Sequence, residues 1–423
     1  MIRVYANKQL SGELHYVEEQ YKFVFNYLSN NPISITMPFS HESYVSRIHL
    51  HPVFDMNIPE GYLFEVLVNL LRKRLSRVDD FTIFSSLAPN ISGWLTYETS
   101  ESSLPKETLH TFTLEDVIEN EDPDLFSRLV KAFLHRSAVS GMQPKVLAEL
   151  TDKARIASCD YIVKAFGPEF PCLAENEYFC MKALQYAGIP TPRFWISRDK
   201  RLFVTERFDY AGDTFKAFEE FCVLFGKNRN TKYHGSYEQI AKAVHKISSR
   251  PEIDLETYFR LVVMNYLLKN GDAHLKNFGI THENFTNFRL APAYDVVCTA
   301  VYLRSDIPAL TMYGKKVWVS KKKLVRFGVK YCLINEHRAY ELFEECETAV
   351  LKTINEITDY VKDNPGFSSV GRTMLNIFHF SLCRNLKEDF KVLPREAFDG
   401  LLENRPQNKR DTKKERYYPT RAR

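Results

Sequence analysis

The sequence predicts an α+β chain in three parts: a small mixed unit, a strand-rich lobe and a helical lobe. Three observations carry this. Short alternating apolar runs broken by Gly, Asn and Pro fill residues 2–37. Strand-like runs at residues 160–166 and 202–208 then bracket one clear helix at 175–187. From Phe215 to about residue 400 the apolar spacing turns helical.

In the first part, residues 1–104, strands are expected at 2–6, 12–17, 21–27 and 33–37, and a closing strand at 93–97. Between them Pro59, Glu60 and Gly61 open an amphipathic helix over 62–75, with proline and an acid at its start. The polar stretch 100–106, with its proline, reads as a linker. In the second part, residues 105–212, Gly188 and Pro190 stop the helix at 175–187. In the third, residues 213–400, Asp254 is expected to cap an apolar helix over 255–269, and further helices are expected at 350–362 and 373–386. Residues 401–423 form a basic tail poor in core residues, read as disordered.

Composition excludes several classes. Of 423 residues, 44% are hydrophobic and 26% charged, the balance of an ordinary globular protein. A net charge of +4 is too weak to argue by itself for nucleic acid. The eight cysteines, Cys159, Cys172, Cys180, Cys222, Cys298, Cys332, Cys346 and Cys383, include no C-x-x-C pair, so neither zinc nor a disulfide framework is expected and a reducing cytoplasm fits. The first residues lack the apolar core of a signal peptide, and no apolar run is long enough to cross a bilayer, so no membrane association is expected.

The sharpest feature is NGDAHLKNF, directly after the apolar helix. Asp272 and Asn277 stand in D-x-x-x-x-N spacing, which lets an aspartate meet an acceptor hydroxyl while the asparagine reaches a magnesium ion. Apolar runs at 278–281 and 288–290 suggest a hairpin leading to Tyr294 and Asp295, the second metal-binding candidate. Alone, this spacing reads as a solvated loop. Four upstream features in order change the reading. Lys164 lies inside an apolar strand and would neutralise nucleotide phosphates. On the helix that follows, Glu177 would pair with it, Glu175 being the competitor. Glu206, Arg207 and Phe208 end the last strand, where a hinge would hold adenine. The loop Ser140, Gly141, Met142, Gln143, Pro144 and Lys145 stands where a phosphate loop belongs, although it holds one glycine only. A two-lobed, protein-kinase-like core using ATP and Mg2+ follows as the expectation.

The ordered set SGMQPK, DYIVKAF, ENEYFCMKALQYAGIPTP, ERFDY, NGDAHLKNF and APAYDVV resembles the HipA-like serine/threonine kinases, the toxins of bacterial toxin–antitoxin pairs. YANKQLSGELHY and the PEG at Pro59 resemble that family's N-terminal accessory domain, so the likeness spans nearly the whole chain. It implies a phosphoinositide-kinase-like core with an added α+β domain. It implies Asp272 as catalytic base, and His274, Lys276 and Asn277 around the phosphates and metal. Asp295 is implied as a magnesium ligand, Lys164 as a phosphate contact, Glu206 and Phe208 as the hinge, and Ser140 to Lys145 as the nucleotide loop. The implied acceptor is a protein (glutamyl-tRNA synthetase for the best-known member) with growth arrest as the outcome. The implied partner is a small helix-turn-helix antitoxin, with operator DNA reached through it. The tail cations Lys409, Arg410, Lys413, Lys414 and Arg416 read as solvated, with contact to DNA phosphates in such a complex as the alternative.

One position departs from the pattern. Some members autophosphorylate a serine three residues before the loop glycine, and here that residue is Ala138. Ser140 is preferred to Ser137 as the modified residue; a phosphate there would add about two negative charges beside the triphosphate. Two rival readings stay open: a lipid or small-molecule kinase, and a non-catalytic nucleotide-binding scaffold for a DNA-binding repressor. Asn270 stands where aminoglycoside-type kinases carry histidine, and the catalytic groups expected to be lost from a scaffold are all present.

Overall fold

The computed structural model describes residues 1–26, 31–72, 78–99, 113–119, 121–122, 124–125, 128–129, 154–157, 161–167, 169–211, 214–383 and 388–399. The expected linker at 100–106, the loop Ser137 to Lys145 with both candidate serines, and the tail lie outside the described residues.

Alternation in the N-terminal strands produces a sheet with one buried face. Strands β1 (Ile2–Ala6), β2 (Gln9–Val17), β3 (Gln20–Phe25), β4 (Tyr44–Ser46) and β5 (Leu95–Thr99) pair antiparallel in the order β4-β3-β2-β1-β5. Ile2, Val4, Leu14, Phe23 and Phe25 fall on the same face and are buried. The short helix α1 (Pro52–Asp55) and helices α2 (Gly61–Arg72) and α3 (Asp80–Leu87) supply Phe54, Leu67 and Phe84 to that core. Gly12 is required where β3 passes: an added Cβ would sit 2.3 Å from the Val24 carbonyl oxygen.

After α4 (Leu114–Ile118), a second sheet of β6 (Ala154–Ala157), β7 (Tyr161–Ala165), β8 (Phe194–Ile196) and β9 (Leu202–Glu206) has the order β6-β7-β9-β8. Alternation divides its side chains between two cores. Val163, Ala165, Leu202 and Val204 join the core of the N-terminal unit, while Phe203 joins the core of the helical lobe. Lys164 stands opposite Phe203 in the ladder, its ammonium group 5.6 Å from the ring centre. Helix α5 (Leu173–Tyr186) packs on this sheet.

The third part is helical, as expected, but opens with strands. After the small ribbon β10 (Tyr210–Ala211) and β11 (Thr214–Phe215), β12 (Ala217–Glu220) pairs with the hairpin β13 (Gly279–Glu283) and β14 (Thr286–Leu290). Helices α6 (Phe221–Leu224), α7 (Tyr237–Ile247), α8 (Pro251–Leu267), α9 (Lys321–Tyr331), α10 (Glu336–Asp363), α11 (Ser368–Cys383) and α12 (Glu396–Asp399) complete the lobe. The fully buried face of α8 is its centre.

Three local expectations are corrected. Residues 33–37 form a turn closed by one Ser34–Met37 bridge, because Ser34 and the Ile35 amide turn to the Glu219 carboxylate instead of a strand. The helix expected at 350–362 is the end of the much longer α10. Asp254 does not cap α8. The helix starts at Pro251, and the buried Asp254 carboxylate accepts from Ser248 Oγ (2.6 Å), the Arg289 guanidinium (2.8 Å) and the Leu290 amide (2.9 Å). It ties the helix to β14.

This difference is measurable. Losing a helix cap costs about 1 kcal/mol, whereas removing a buried carboxylate that three groups donate to costs about 1–3 kcal/mol per buried donor left unpaired, the half-buried Arg289 being free to turn to water. Asp254→Ala is expected to lower stability by the larger amount, read as a fall in the urea midpoint at unchanged m. A loss near 1 kcal/mol would show that the junction to β14 contributes little.

Candidate active site

The site is assembled at the end of α8. The helix leaves through Lys269, which adopts a left-handed conformation (φ 56°) and is fully buried. Its ammonium group donates to the Tyr266 carbonyl at 2.7 Å and faces the Trp318 and Phe390 rings at 5.0 and 5.4 Å. A cation suits the negative end of a helix dipole, but burial pulls this one down to about 7.

The loop that follows is held from below. Asn270 bonds to Asn265 through its side chain at 2.8 Å, and the Asp272 amide donates to Asn270 Oδ1 at 3.1 Å. The Gly271 amide donates to Thr299 Oγ1 at 2.6 Å, and Thr299 donates to the Asp306 carboxylate. A Cβ on Gly271 would overlap the Asp306 carboxylate, which Thr299 and the Ile307 amide hold in place, so any larger residue here requires Asp306 to shift. The His274 amide donates to Asn277 Oδ1 at 3.1 Å, closing the D-x-x-x-x-N loop upon itself.

From Asn277 a chain of polar contacts runs across both lobes. Asn277 Nδ2 donates to Asp295 Oδ2 at 2.7 Å. Lys164 Nζ donates to Asp295 Oδ1 at 2.7 Å and also to Glu177. Of the two helix acids, Glu177 therefore meets Lys164, whereas Glu175 accepts from Tyr360 Oη at 3.0 Å. Asp295 is itself left-handed (φ 59°), a conformation aspartate tolerates better than most residues.

At the end of β9, where the sequence suggested a hinge, Phe208 stacks on Tyr294 with ring centres 5.5 Å apart and meets Phe218 edge-on. Tyr294 Oη donates to the Lys276 carbonyl at 2.7 Å, joining this aromatic cluster to the D-x-x-x-x-N loop. Glu206 is held by Arg193 at 2.6 and 2.9 Å, and that hydrogen bonding lowers its carboxyl. Arg207 turns away, to Asp209 and to the Ser92 carbonyl of the N-terminal unit (2.8 Å).

His274 and Lys276 point differently. Burial pulls the His274 imidazole down to about 4, against the opposing charge of Asp272, so it is neutral near pH 7. Its Nδ1 is buried without a hydrogen-bond partner among the described residues. Lys276 reaches the N-terminal unit, donating to Glu60 at 2.7 Å with Glu220 at 3.9 Å. Burial opposes its charge, but Glu220 and Glu60 outweigh that and hold it above the ordinary lysine range.

Sequence reasoning missed Glu60, Glu220, Lys232 and Tyr233 as parts of this site. Glu60 also pairs with Lys232, and Tyr233 Oη donates to Asp272 Oδ1 at 2.8 Å. Burial alone would raise the Glu60 carboxyl; the charges of Lys276 and Lys232 with their hydrogen bonds hold it at about 2. The one available signal was the PEG motif, whose acid reads locally as a helix-start residue.

The donor set fits a nucleotide with magnesium. Among the described residues no group of three His, Cys, Asp or Glu side chains is placed to hold a metal. A magnesium site needs no such cage, since it uses one or two carboxylates with phosphates and water. Asp295 supplies hard carboxylate oxygens of that kind. Asn277 turns its Nδ2 to Asp295 and its amide oxygen to the His274 amide, so that oxygen would reach a metal only after the side chain turns, and the orphaned His274 Nδ1 is a further polar group left for a ligand.

Fold and site together define a protein-kinase-like, two-lobed α+β class with an added N-terminal α+β domain. Comparison with known proteins narrows the class. Residues 2–98 match the HipA N-terminal domain and residues 137–354 the HipA-like C-terminal domain, so the chain belongs to the HipA-like family. "Putative kinase Y4mE" of Sinorhizobium fredii is 24% identical over 373 residues, covering 79% of this chain and 85% of that protein. A "Putative kinase" of Haemophilus influenzae is 28% identical over 200 residues, 42% of this chain and 58% of that protein. Among solved structures, HipA of Shewanella oneidensis MR-1, from a complex with HipB and its operator DNA, shares the fold. Its TM-score is 0.61 at 13% identity, over 90% of this chain and 97% of that one. No described helix is long and apolar enough to cross a membrane.

The state of His274 has a measurable consequence. An unfolded histidine titrates near 6.5 and this one near 4 in the folded chain, so the unfolded state binds the proton first as pH falls. Stability should therefore be lost between about pH 6.5 and 4, by up to about 3 kcal/mol for this group. Denaturation across that range is expected to show a shallower pH dependence in His274→Gln than in wild type. Parallel curves would mean that His274 is as free to protonate as in the unfolded chain.

Proposed function

We propose that the chain is an ATP- and Mg2+-dependent protein serine/threonine kinase. The observation that carries this reading is the Glu177–Lys164–Asp295–Asn277 chain of contacts ending beside Asp272. Such a set has one chemical use in common: a cation and hard oxygen ligands for polyphosphate, next to a carboxylate that can accept a hydroxyl proton.

In this reading Asp272 orients the acceptor hydroxyl and takes its proton as the oxygen attacks the terminal phosphorus of ATP. Asn277 and Asp295 hold magnesium, which when bound neutralises charge on the phosphate oxygens. Lys164 holds phosphate oxygens and keeps Asp295 in place, while Glu177 fixes Lys164. Glu206, Arg207 and Phe208 form the hinge, with Tyr294 under Phe208. His274 and the loop Ser140, Gly141, Met142, Gln143, Pro144 and Lys145 complete the nucleotide site. Lys276 supports the catalytic loop through Glu60.

The acceptor is proposed to be a cellular protein in the cytoplasm, such as an aminoacyl-tRNA synthetase, with growth arrest following. The chain is proposed to modify itself at Ser140, or at Ser137. Its proposed partner is a small helix-turn-helix antitoxin that carries it to operator DNA, an arrangement supported by the HipA–HipB–operator complex of the Shewanella protein. The proposed division is an accessory domain to residue 104, a nucleotide-binding lobe to 212, a catalytic lobe to 400 and a basic tail.

Labelled ATP added to cell extract tests this. Wild type should transfer label to protein serine or threonine, identified by mass spectrometry. Asp272→Ala should lower transfer by roughly 10²-fold or more, the usual contribution of a positioned base, and chelation of Mg2+ should abolish it. Equal labelling by wild type and Asp272→Ala would remove the catalytic assignment.

A further inference from the structure

The segment 225–235, between α6 and α7, touches both the N-terminal unit and the catalytic aspartate. Arg229 is bound there by two carboxylates of the N-terminal unit, Asp55 and Asp80, and its amide donates to Asp55 at 2.9 Å. Its guanidinium lies 5.3 Å from the Phe64 ring centre on α2. Lys232 is bound by Glu60, also from that unit. The Lys232 carbonyl accepts from the Leu275 amide at 3.1 Å, so the segment is laced to the catalytic loop itself.

Tyr233 sits at the meeting point. Its hydroxyl donates to Asp272 Oδ1 at 2.8 Å and its ring meets His274 edge-on, centres 5.1 Å apart. Its carbonyl accepts from Lys316 Nζ at 3.1 Å, so the backbone is pinned as well as the side chain. A hydroxyl donating to the proposed base at hydrogen-bond length is the geometry an acceptor hydroxyl must adopt before transfer.

We propose that Tyr233 marks the acceptor subsite. Its hydroxyl holds the place of the acceptor hydroxyl on Asp272 Oδ1 and keeps water from that oxygen, and the N-terminal unit seats it there through Glu60, Asp55 and Asp80. This rests on the kinase reading above. A serine or threonine side chain displaces Tyr233 to reach Oδ1, so the acceptor is a segment able to enter beside 225–235.

Removing the phenolic hydroxyl opens Asp272 Oδ1 to water. Transfer to water then forms a bond from the water oxygen to the terminal phosphorus as the bridging P–O bond breaks. The proton goes to Asp272, and ADP and phosphate leave. The test is phosphate release from ATP by the purified full-length chain, with Mg2+ and no added acceptor. Tyr233→Phe should release phosphate about tenfold faster than wild type, the factor expected for freeing a carboxylate from one hydrogen bond. The KM for ATP should stay within about twofold, since the subsite lies on the acceptor side. The gain should vanish in Tyr233→Phe/Asp272→Ala. Glu60→Gln, which frees Lys232, should give a smaller gain, and Glu60→Asp should restore the wild-type rate.

If Tyr233→Phe is no faster than wild type while Asp272→Ala still abolishes protein labelling, the subsite assignment fails and the kinase reading stands. If phosphate release ignores Asp272→Ala in both backgrounds and protein labelling ignores it too, both fail.

Discussion

A buried ammonium group shared by two carboxylates is the constraint on which this molecule depends. Lys164 is only 4% exposed, and an unpaired charge at that depth costs several kcal/mol. Its two partners come from different places: Glu177 from α5 and Asp295 from the far side of the β13–β14 hairpin. The sheet, the helix and the helical lobe must therefore be in register before the charge is satisfied. That requirement also explains why Asp295 tolerates a left-handed backbone: the contacts to Lys164 and Asn277 hold it from both oxygens.

The same logic operates at the seam with the N-terminal unit. Inter-domain contacts in one chain are commonly polar and permit relative motion unless they are large and apolar. Here the apolar core of the N-terminal unit continues into Val163, Ala165, Leu202, Val204 and Ala217. The polar contacts are partly or fully desolvated: Asp55 with Arg229, Ser34 with Glu219, and Glu60 with Lys232 and Lys276. Such pairs are stronger than exposed ones but leave a costly orphan when one member is lost. The N-terminal unit is thus a structural part of the catalytic loop's surroundings.

Much of this was legible in the sequence, for physical reasons that also mark where legibility ended. Period-two alternation located β1 to the residue, because it has one face in a core; β7, buried on both faces, was legible nearly to the residue as a short apolar run. The D-x-x-x-x-N loop and the strand lysine were legible because their chemistry demands fixed residue types at fixed spacing. Asp254 was misread because an acid near a helix start looks like a cap, whereas its partner Arg289 lies far along the chain. Glu60 was misread in the same way. Tyr233 carried no signal at all: a tyrosine in a polar loop gains meaning only when folding brings Asp272 to it. Local propensity reports local partners, and Arg289 for Asp254, Lys276 for Glu60 and Asp272 for Tyr233 all lie far along the chain.

The balance of charge around the loop bears on the proposal that a divalent cation takes part. Among the described residues, Asp272, Asp295, Glu177, Glu60 and Glu220 stand near the ammonium groups of Lys164, Lys232 and Lys276, with that of Lys316 on the Tyr233 carbonyl. The first three ammonium groups are each held by a carboxylate, and His274 is neutral. A polyphosphate entering such a place would meet carboxylates in a medium where repulsion is poorly screened. Under the kinase proposal, the magnesium complex of the nucleotide would suit this place better than the nucleotide alone, because the Asp295 carboxylate would offer oxygen ligands where phosphate oxygens need neutralising. In that proposal the carboxylates that look unfavourable for an anion would favour one that arrives with its cation.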